Sequence, residues 1–265
     1  MQWVASVGVA TENTFAYVGA LAEISAKSLR LLFVSPLKRS RMLHRAVHEA
    51  TGAGVGAIPI ISLITLFVGV IIALQGAYEL QRLGAMQLVA SLVAIAITRE
   101  LGPLITAIVV IGRSGSAFAA EIGTMRVTEE LDALETMALD PVAFLVVPKF
   151  LAMALMLPCL AIWADLMGVL GGALFGVAGG GFTFGGYLLA TRDALLLRDI
   201  TSGVIKSLVF GLVITAVGCH EGFATGTGAE EVGRSTTSAV VISILLVILI
   251  DLVFTALFYM ARGAG

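Results

Sequence analysis

AIPIISLITLFVGVIIALQGA, residues Ala57 to Ala77, carries no ionisable side chain, and the uncharged stretch around it runs from Ala50 to Tyr78. About 20 apolar residues wound as a helix span the roughly 30 Å hydrocarbon core of a bilayer. The segment therefore reads as a membrane-crossing helix, and four more follow. The second spans Leu83–Ile111, interrupted by Arg99 and Glu100. The third spans Val142–Val177 with Asp165 inside it, the fourth Ile200–Cys219 with Lys206, and the fifth Ser238–Tyr259 with Asp251. Composition agrees: 58% of the 265 residues are hydrophobic and 13% charged, against about 25% charged in soluble domains. The fold class expected is an all-α membrane protein in one domain, 1–265. Residues 1–48 form an N-terminal amphipathic and basic segment, and 50–262 the five-span bundle.

Before the first span, Glu12, Glu23, Lys27 and Arg30 share one helical face, with Phe15, Val18, Leu29 and Phe33 opposite. Burying four charges in a spanning helix costs about 2.5–3.5 kcal/mol each near its centre. An interfacial helix is the expectation, with its apolar face in the headgroups. Pro36 ends it, and Lys38, Arg39, Arg41 and Arg45 follow. The first eleven residues lack the basic start of a secretory signal. With the N-terminus inside, the internal segments hold ten Lys and Arg and the external ones four: Arg82, Arg192, Arg198 and Arg262. The bias places the N-terminus in the cytoplasm and the C-terminus outside.

Several chemistries find no support. The net charge of −2 gives no nucleic-acid surface. No lysine sits in the spacing that cradles nucleotide phosphates, so the chain is not expected to hydrolyse ATP itself. The glycine-rich GFATGTGAE, Gly222–Glu230, reads as a loop, and GRSGS, Gly112–Ser116, as a small-residue turn. His44 and His48 have the one-turn spacing of zinc ligands but no third ligand, so neither a metal site nor a catalytic residue is assigned. Cys159 and Cys219 lie in apolar runs and make no disulfide framework.

Three features stand out. Gly168, Gly172, Gly176 and Gly180 recur every four residues, which strips a helix face for close packing. The approaching helix belongs either to the same bundle or to a second subunit. Arg99, Glu100, Lys206 and Asp251 lie at membrane depth, where ionisable groups are costly and face a partner or a cavity. Lys206 with Glu100 or Asp251 would satisfy the charges. Either these groups only lock the bundle, or they line a polar pocket for an amphipathic ligand. Last, MRVTEELDALETMALDP, Met125–Pro141, is acidic and amphipathic between two greasy runs. Thr128 is expected to cap its helix, Glu129 and Glu130 to complement the dipole, and Pro141 to stop it. Val127, Leu131, Leu134 and Ala138 form a stripe expected to dock into a soluble partner, because anionic lipid repels four carboxylates.

ELGP (Glu100–Pro103), GRSGSAFAAEIGTMRVTEELDALETMALDP (Gly112–Pro141), LVVPKFLA (Leu145–Ala152) and the terminal IDLVFTALF together resemble the MlaE/YrbE family of ABC transporter permeases. The similarity extends over nearly the whole chain. It implies a homodimeric permease in the bacterial cell inner membrane. It also implies a MlaF-like ATPase that binds the ATP and Mg, a periplasmic MlaD-like MCE protein and often a MlaB-like STAS protein. No cofactor is expected on this chain. The cargo implied is phospholipid, moved between inner and outer membranes to maintain outer-membrane lipid asymmetry. By motif position, the family's coupling helix falls on about Thr128–Met137: Thr128, Glu129, Glu130, Leu131, Asp132, Leu134 and Glu135. Where the family commonly has Gln, this chain has Glu130. The alternatives are an ion-coupled secondary transporter, with Glu100, Lys206 and Asp251 as a relay, or an intramembrane lipid-modifying enzyme. A secondary transporter has no need of a docking handle.

Overall fold

A computed structural model describes the backbone of residues 2–34, 39–179 and 181–263, and side chains over 15–31, 43–179 and 181–260. The described residues are helical with turns, and five stretches are long and apolar enough to cross a membrane: Leu43–Arg82, Met86–Val127, Val142–Ala178, Leu197–Phe223 and Ala229–Met260. The helices are α1 (Gln2–Val34), α2 (Arg39–Ala53), α3 (Ile58–Arg82), α4 (Val89–Ala96), α5 (Gly102–Val110), α6 (Ser116–Val127), α7 (Glu130–Thr136), α8 (Val147–Ala178), α9 (Phe184–Ala194), α10 (Leu197–Phe223) and α11 (Ala229–Gly263).

Glycine sets the tightest crossing. A Cβ on Gly171 would strike the Leu66 carbonyl, and one on Gly69 the Gly168 carbonyl, so α3 and α8 touch backbone to backbone. Gly168 also lies against Ile97, and Gly172 and Gly176 against Tyr187 of α9. This stripe packs within the chain; Gly180 lies outside the described residues. The apolar centre joins Ile61, Phe118, Leu157, Phe210 and Ile214 from α3, α6, α8 and α10 with Ile111 from the turn between α5 and α6.

The second span is longer than its hydropathy suggests. It does not end at Ile111: α4, α5 and α6 continue one another through π-turns at Ile97–Leu101 and Ile111–Gly115. At 1.5 Å per residue, Met86–Val127 is about 60 Å long, far more than a bilayer core. Gly, Ser and Ala lower its apparent hydropathy, yet Phe118, Ala119, Ile122 and Gly123 remain buried. GRSGS, expected as a small-residue turn, thus falls largely within a π-turn inside a continuing helix. Its Arg113 donates to the Gly52 carbonyl (3.3 Å) and Ser114 to the Ala53 carbonyl (3.2 Å). Both serve carbonyls at the end of α2, where a helix has no internal donors left.

The first π-turn follows from Pro103. Proline has no N–H, and its ring crowds the carbonyl four residues back. Here the Gly102 N–H reaches Ile97 O, five residues back, rather than Thr98 O. The Thr98 carbonyl then lies where only a glycine, Gly203 of α10, leaves room.

α1 meets the bundle through a face that the two-sided reading leaves out. Glu23, Lys27 and Arg30 are exposed, and so are Phe15, Val18 and Leu29. Tyr17, Leu21, Ile24 and Ser28 turn inward instead. The side chains of Glu12 and Phe33, and all of Pro36 and Lys38, lie outside the described residues. α9 lies between the stretches expected as the third and fourth spans. Thr183 starts it by accepting from the Gly186 N–H at 3.2 Å.

Candidate functional site

Lys206 is the centre of the polar cluster within the spans. Its side chain is 1% exposed, and its ammonium lies 2.6 Å from Glu100 Oε2, 2.9 Å from Asp251 Oδ1 and 2.8 Å from Thr255 Oγ1. Thr255 in turn donates to Glu100 Oε1 at 3.0 Å. The ammonium donates to Glu100 and Thr255 and meets Asp251 as an ion pair. Elements distant in sequence build the group: the π-turn of the second span supplies Glu100, α10 Lys206, and α11 Asp251 and Thr255. With both acids ionised the cluster carries one net negative charge. In this conformation Lys206 meets carboxylates rather than an open cavity, while Glu100, 35% exposed, is the member that reaches the surface.

Arg99 does not join this group. It points toward Asp199 at the start of α10, with 3.6 Å between Nε and Oδ1. Asp199 also accepts from the Leu196 N–H at 3.2 Å. Asp165 stands apart from both pairs, its Oδ1 buried with no hydrogen-bond partner among the described residues and pressed close to Gly102.

The acidic segment is a helix, but built differently from its sequence reading. Thr128 closes α6 instead of capping α7: its hydroxyl donates to the Thr124 carbonyl at 3.0 Å. Glu129 occupies the cap position with φ +60°, and no side chain caps the helix. α7 is closed before Pro141: just past its end Ala138 turns left-handed (φ +57°), and the Leu139 N–H reaches Leu134 O at 3.0 Å. This is the 6→1 bond of a Schellman close. Pro141 instead opens the π-turn leading into α8.

The apolar stripe also points the other way. Leu131 and Leu134 are buried against Ile122, Leu145, Val146, Phe150, Ala216 and Cys219 of the chain's own bundle. Glu129, Glu130, Asp132 and Glu135 are exposed, with Met137 beside them. Leucines anchor the handle, and acids are what it offers.

Two polar groups at this end of the bundle escape sequence reading. Lys149, also 1% exposed, lies 2.8 Å from both Glu49 of α2 and Glu121 of α6. The signal available is a lone lysine inside the apolar run VVPKFLA. α1 is tied down twice. Lys27 pairs with Asp140 at 2.9 Å, and Tyr17 donates to Glu221 Oε1 at 2.8 Å while its ring meets His220 edge-on. Partial burial raises the Asp140 carboxyl, but the Lys27 hydrogen bond and the Val142 N–H outweigh it and hold the pKa below 3.8. Burial, then the Glu221 hydrogen bond and charge, push the Tyr17 hydroxyl above its usual range.

Known proteins bear on this geometry. The profile of the family described as Permease MlaE matches residues 46–257. A Rickettsia conorii protein named a probable ABC transporter permease is 37% identical over 254 residues, 96% of each chain. The Haemophilus influenzae intermembrane phospholipid transport system permease protein MlaE is 36% identical over 213 residues, 80% of each chain. The chloroplast protein trigalactosyldiacylglycerol 1 of Arabidopsis thaliana is 41% identical over 203 residues, 77% of this chain and 57% of its own.

Proposed function

From the premise that this chain belongs to the MlaE permease family, we propose that it is the membrane subunit of an ATP-driven transporter moving phospholipid between the inner and outer membranes. The observation that carries the reading is α7. Two buried leucines fix it to α6, α8 and α10, and its exposed face presents four carboxylates. A rigid acidic handle at the end of a bundle suits a soluble partner with a basic groove, here an ATPase of the MlaF kind that binds ATP and Mg. The name of the Haemophilus relative, an intermembrane phospholipid transport system permease, supports the cargo.

The same reading places the chain in a bacterial inner membrane as half of a homodimer. α11 leaves Leu245, Ile248, Leu249 and Leu252 uncovered by its own bundle, which suits lipid or a second copy. α1 lies in the interface, with the N-terminus cytoplasmic and the C-terminus periplasmic. MlaD-like and MlaB-like proteins complete the assembly. Glu100, Lys206 and Asp251 line the lipid path, Glu100 being the member that meets the headgroup, and Arg99 with Asp199 lies beside it.

The test is fluorescent-lipid transfer between proteoliposomes holding the purified complex. ATP-dependent transfer is expected. Transfer driven by an ion gradient without ATP, or no ATPase co-purifying with the chain, overturns the reading. In spheroplasts, a cysteine at Gly185 should react with an impermeant reagent and one at Ala133 should not; the reverse overturns the orientation.

A further inference from the structure

Where α2 passes the start of α8, a cavity of 290 Å³ opens, lined by His44, Arg45, His48 and Glu49 on one side and Phe144, Leu145 and Pro148 on the other. Its charges are unequal in availability. The Arg45 guanidinium carbon sits 3.7 Å from the centre of the Phe144 ring, and its Nη1 donates weakly to the Phe144 carbonyl at 3.5 Å. Stacking holds this cation in place, and among the described residues no carboxylate pairs with it. Glu49, the acid in the wall, is taken by Lys149 at 2.8 Å, and Lys149 also holds Glu121. His44 and His48 stand one turn apart, exposed on the same flank of α2 as Arg45. The opposite flank exposes Leu43 and Val47.

Position narrows the ligand. The cavity lies where α2 runs into α3 and where the apolar run of α8 begins, at the same end of two spans. We propose that it binds the phosphate of an anionic phospholipid headgroup, with Arg45 as the forked donor, His44 and His48 as flanking donors, and Phe144, Leu145 and Pro148 under the glycerol. A guanidinium fixed by stacking keeps open the fork that matches two phosphate oxygens. Basic pockets between helices at the membrane surface take anionic headgroups on this principle. A zwitterionic headgroup also needs an acid for its ammonium, and Glu49 is already committed. Free inorganic phosphate shares the chemistry but gains nothing from the apolar floor. None of these residues belongs to the Lys206 cluster, so the site stands or falls separately from lipid transport.

The experiment is native mass spectrometry of the full-length chain in mild detergent, titrated with dioleoylphosphatidylglycerol, dioleoylphosphatidylcholine or inorganic phosphate. Wild-type chain should retain one more phosphatidylglycerol than phosphatidylcholine. Arg45→Gln should weaken that lipid at least tenfold. His44→Gln/His48→Gln, which removes no hydrogen bond or ion pair to the described residues, should weaken it severalfold. Thermal unfolding without lipid should not change in the histidine pair, which keeps the test independent of folding. Equal retention by wild type and both variants overturns the site, as does equal retention of the two lipids. Inorganic phosphate binding as tightly as phosphatidylglycerol overturns the lipid and leaves a free-phosphate site.

Discussion

Replacing Lys206 with methionine separates a bracing cluster from a wet one. The Lys206 side chain is 1% exposed, and its ammonium has two carboxylates and a threonine within 2.9 Å. Methionine keeps most of the stem and removes the charge, leaving Glu100 and Asp251 facing each other. Stranding a buried charge costs about 3–5 kcal/mol. Glu100, at 35% exposure, draws some hydration, whereas Asp251, at 15%, draws little. The expected loss therefore sits near the lower end, about 3 kcal/mol. Removing one acid instead leaves a neutral one-to-one pair. Glu100→Gln or Asp251→Asn should cost about 1 kcal/mol or less, because the lost hydrogen bond is offset by relief of like-charge repulsion.

The triple change Glu100→Gln/Lys206→Met/Asp251→Asn removes all three charges and should recover most of the loss, since neutral replacement of a buried ionic group is often tolerated. The assay is unfolding of the full-length chain in decyl maltoside by added sodium dodecyl sulfate, followed by circular dichroism. Lys206→Met as stable as wild type refutes the reasoning: water then reaches the orphaned acids. Glu100→Gln as costly as Lys206→Met refutes it equally, because the charge count would not govern the cluster.

Leu134→Asp should destabilise α7 by several kcal/mol, because an unpaired charge enters a buried apolar cluster. Asp132→Lys/Glu135→Lys, on the exposed face, should change stability by under about 1 kcal/mol yet weaken ATPase co-purification. Gly171→Val drives side-chain atoms into the Leu66 carbonyl and should abolish accumulation in the membrane, measured by immunoblot. The Asp140 carboxyl has a folded pKa below its unfolded value, so the Lys27 tie is fully present above pH 3.8 and fades as pH falls through the lower folded value. For an exposed pair this is worth about 1 kcal/mol at most. Hydrogen exchange in α1 should be flat from pH 7 to 5 apart from intrinsic rates, and Asp140→Asn should raise it by the same factor at both pH values.

Where hydropathy and charge decide a feature, the sequence sufficed. The uncharged run around Ala57–Ala77 made α3 unavoidable, and a lysine at membrane depth demanded acids, which Glu100 and Asp251 supply. Where packing decides, it did not. Gly, Ser and Ala between Gly112 and Thr124 look like a loop to a hydropathy scale, yet small residues are what lets α6 lie close against α10, as at Gly218 and Gly222. Leu131 and Leu134 were legible as a stripe but not as to its occupant, because one helix face cannot say which surface covers it. The Glu49–Lys149–Glu121 group joins residues up to 100 positions apart, a pairing that no local pattern encodes.

Pro103 connects the handle to the cluster. A straight α-helix from Met86 to Val127 would fix the angle between Glu100 and every residue of α6. The π-turn forced by Pro103 resets that angle just where Glu100 must face Lys206, and the second π-turn, at Ile111–Gly115, resets it again before α6 reaches the leucines of α7. α10, by contrast, runs unbroken from Lys206 to Ala216, which is part of the cluster holding α7. That separation is ten residues, or about 15 Å of rigid helix. A force on α7 thus has two routes to the charges, one stiff through α10 and one jointed through α6 and α5. π-bulges and prolines are where long helices kink. Lys206 and Glu100 therefore sit on the stiff route and the jointed route respectively, and the contact between them is where the two routes meet.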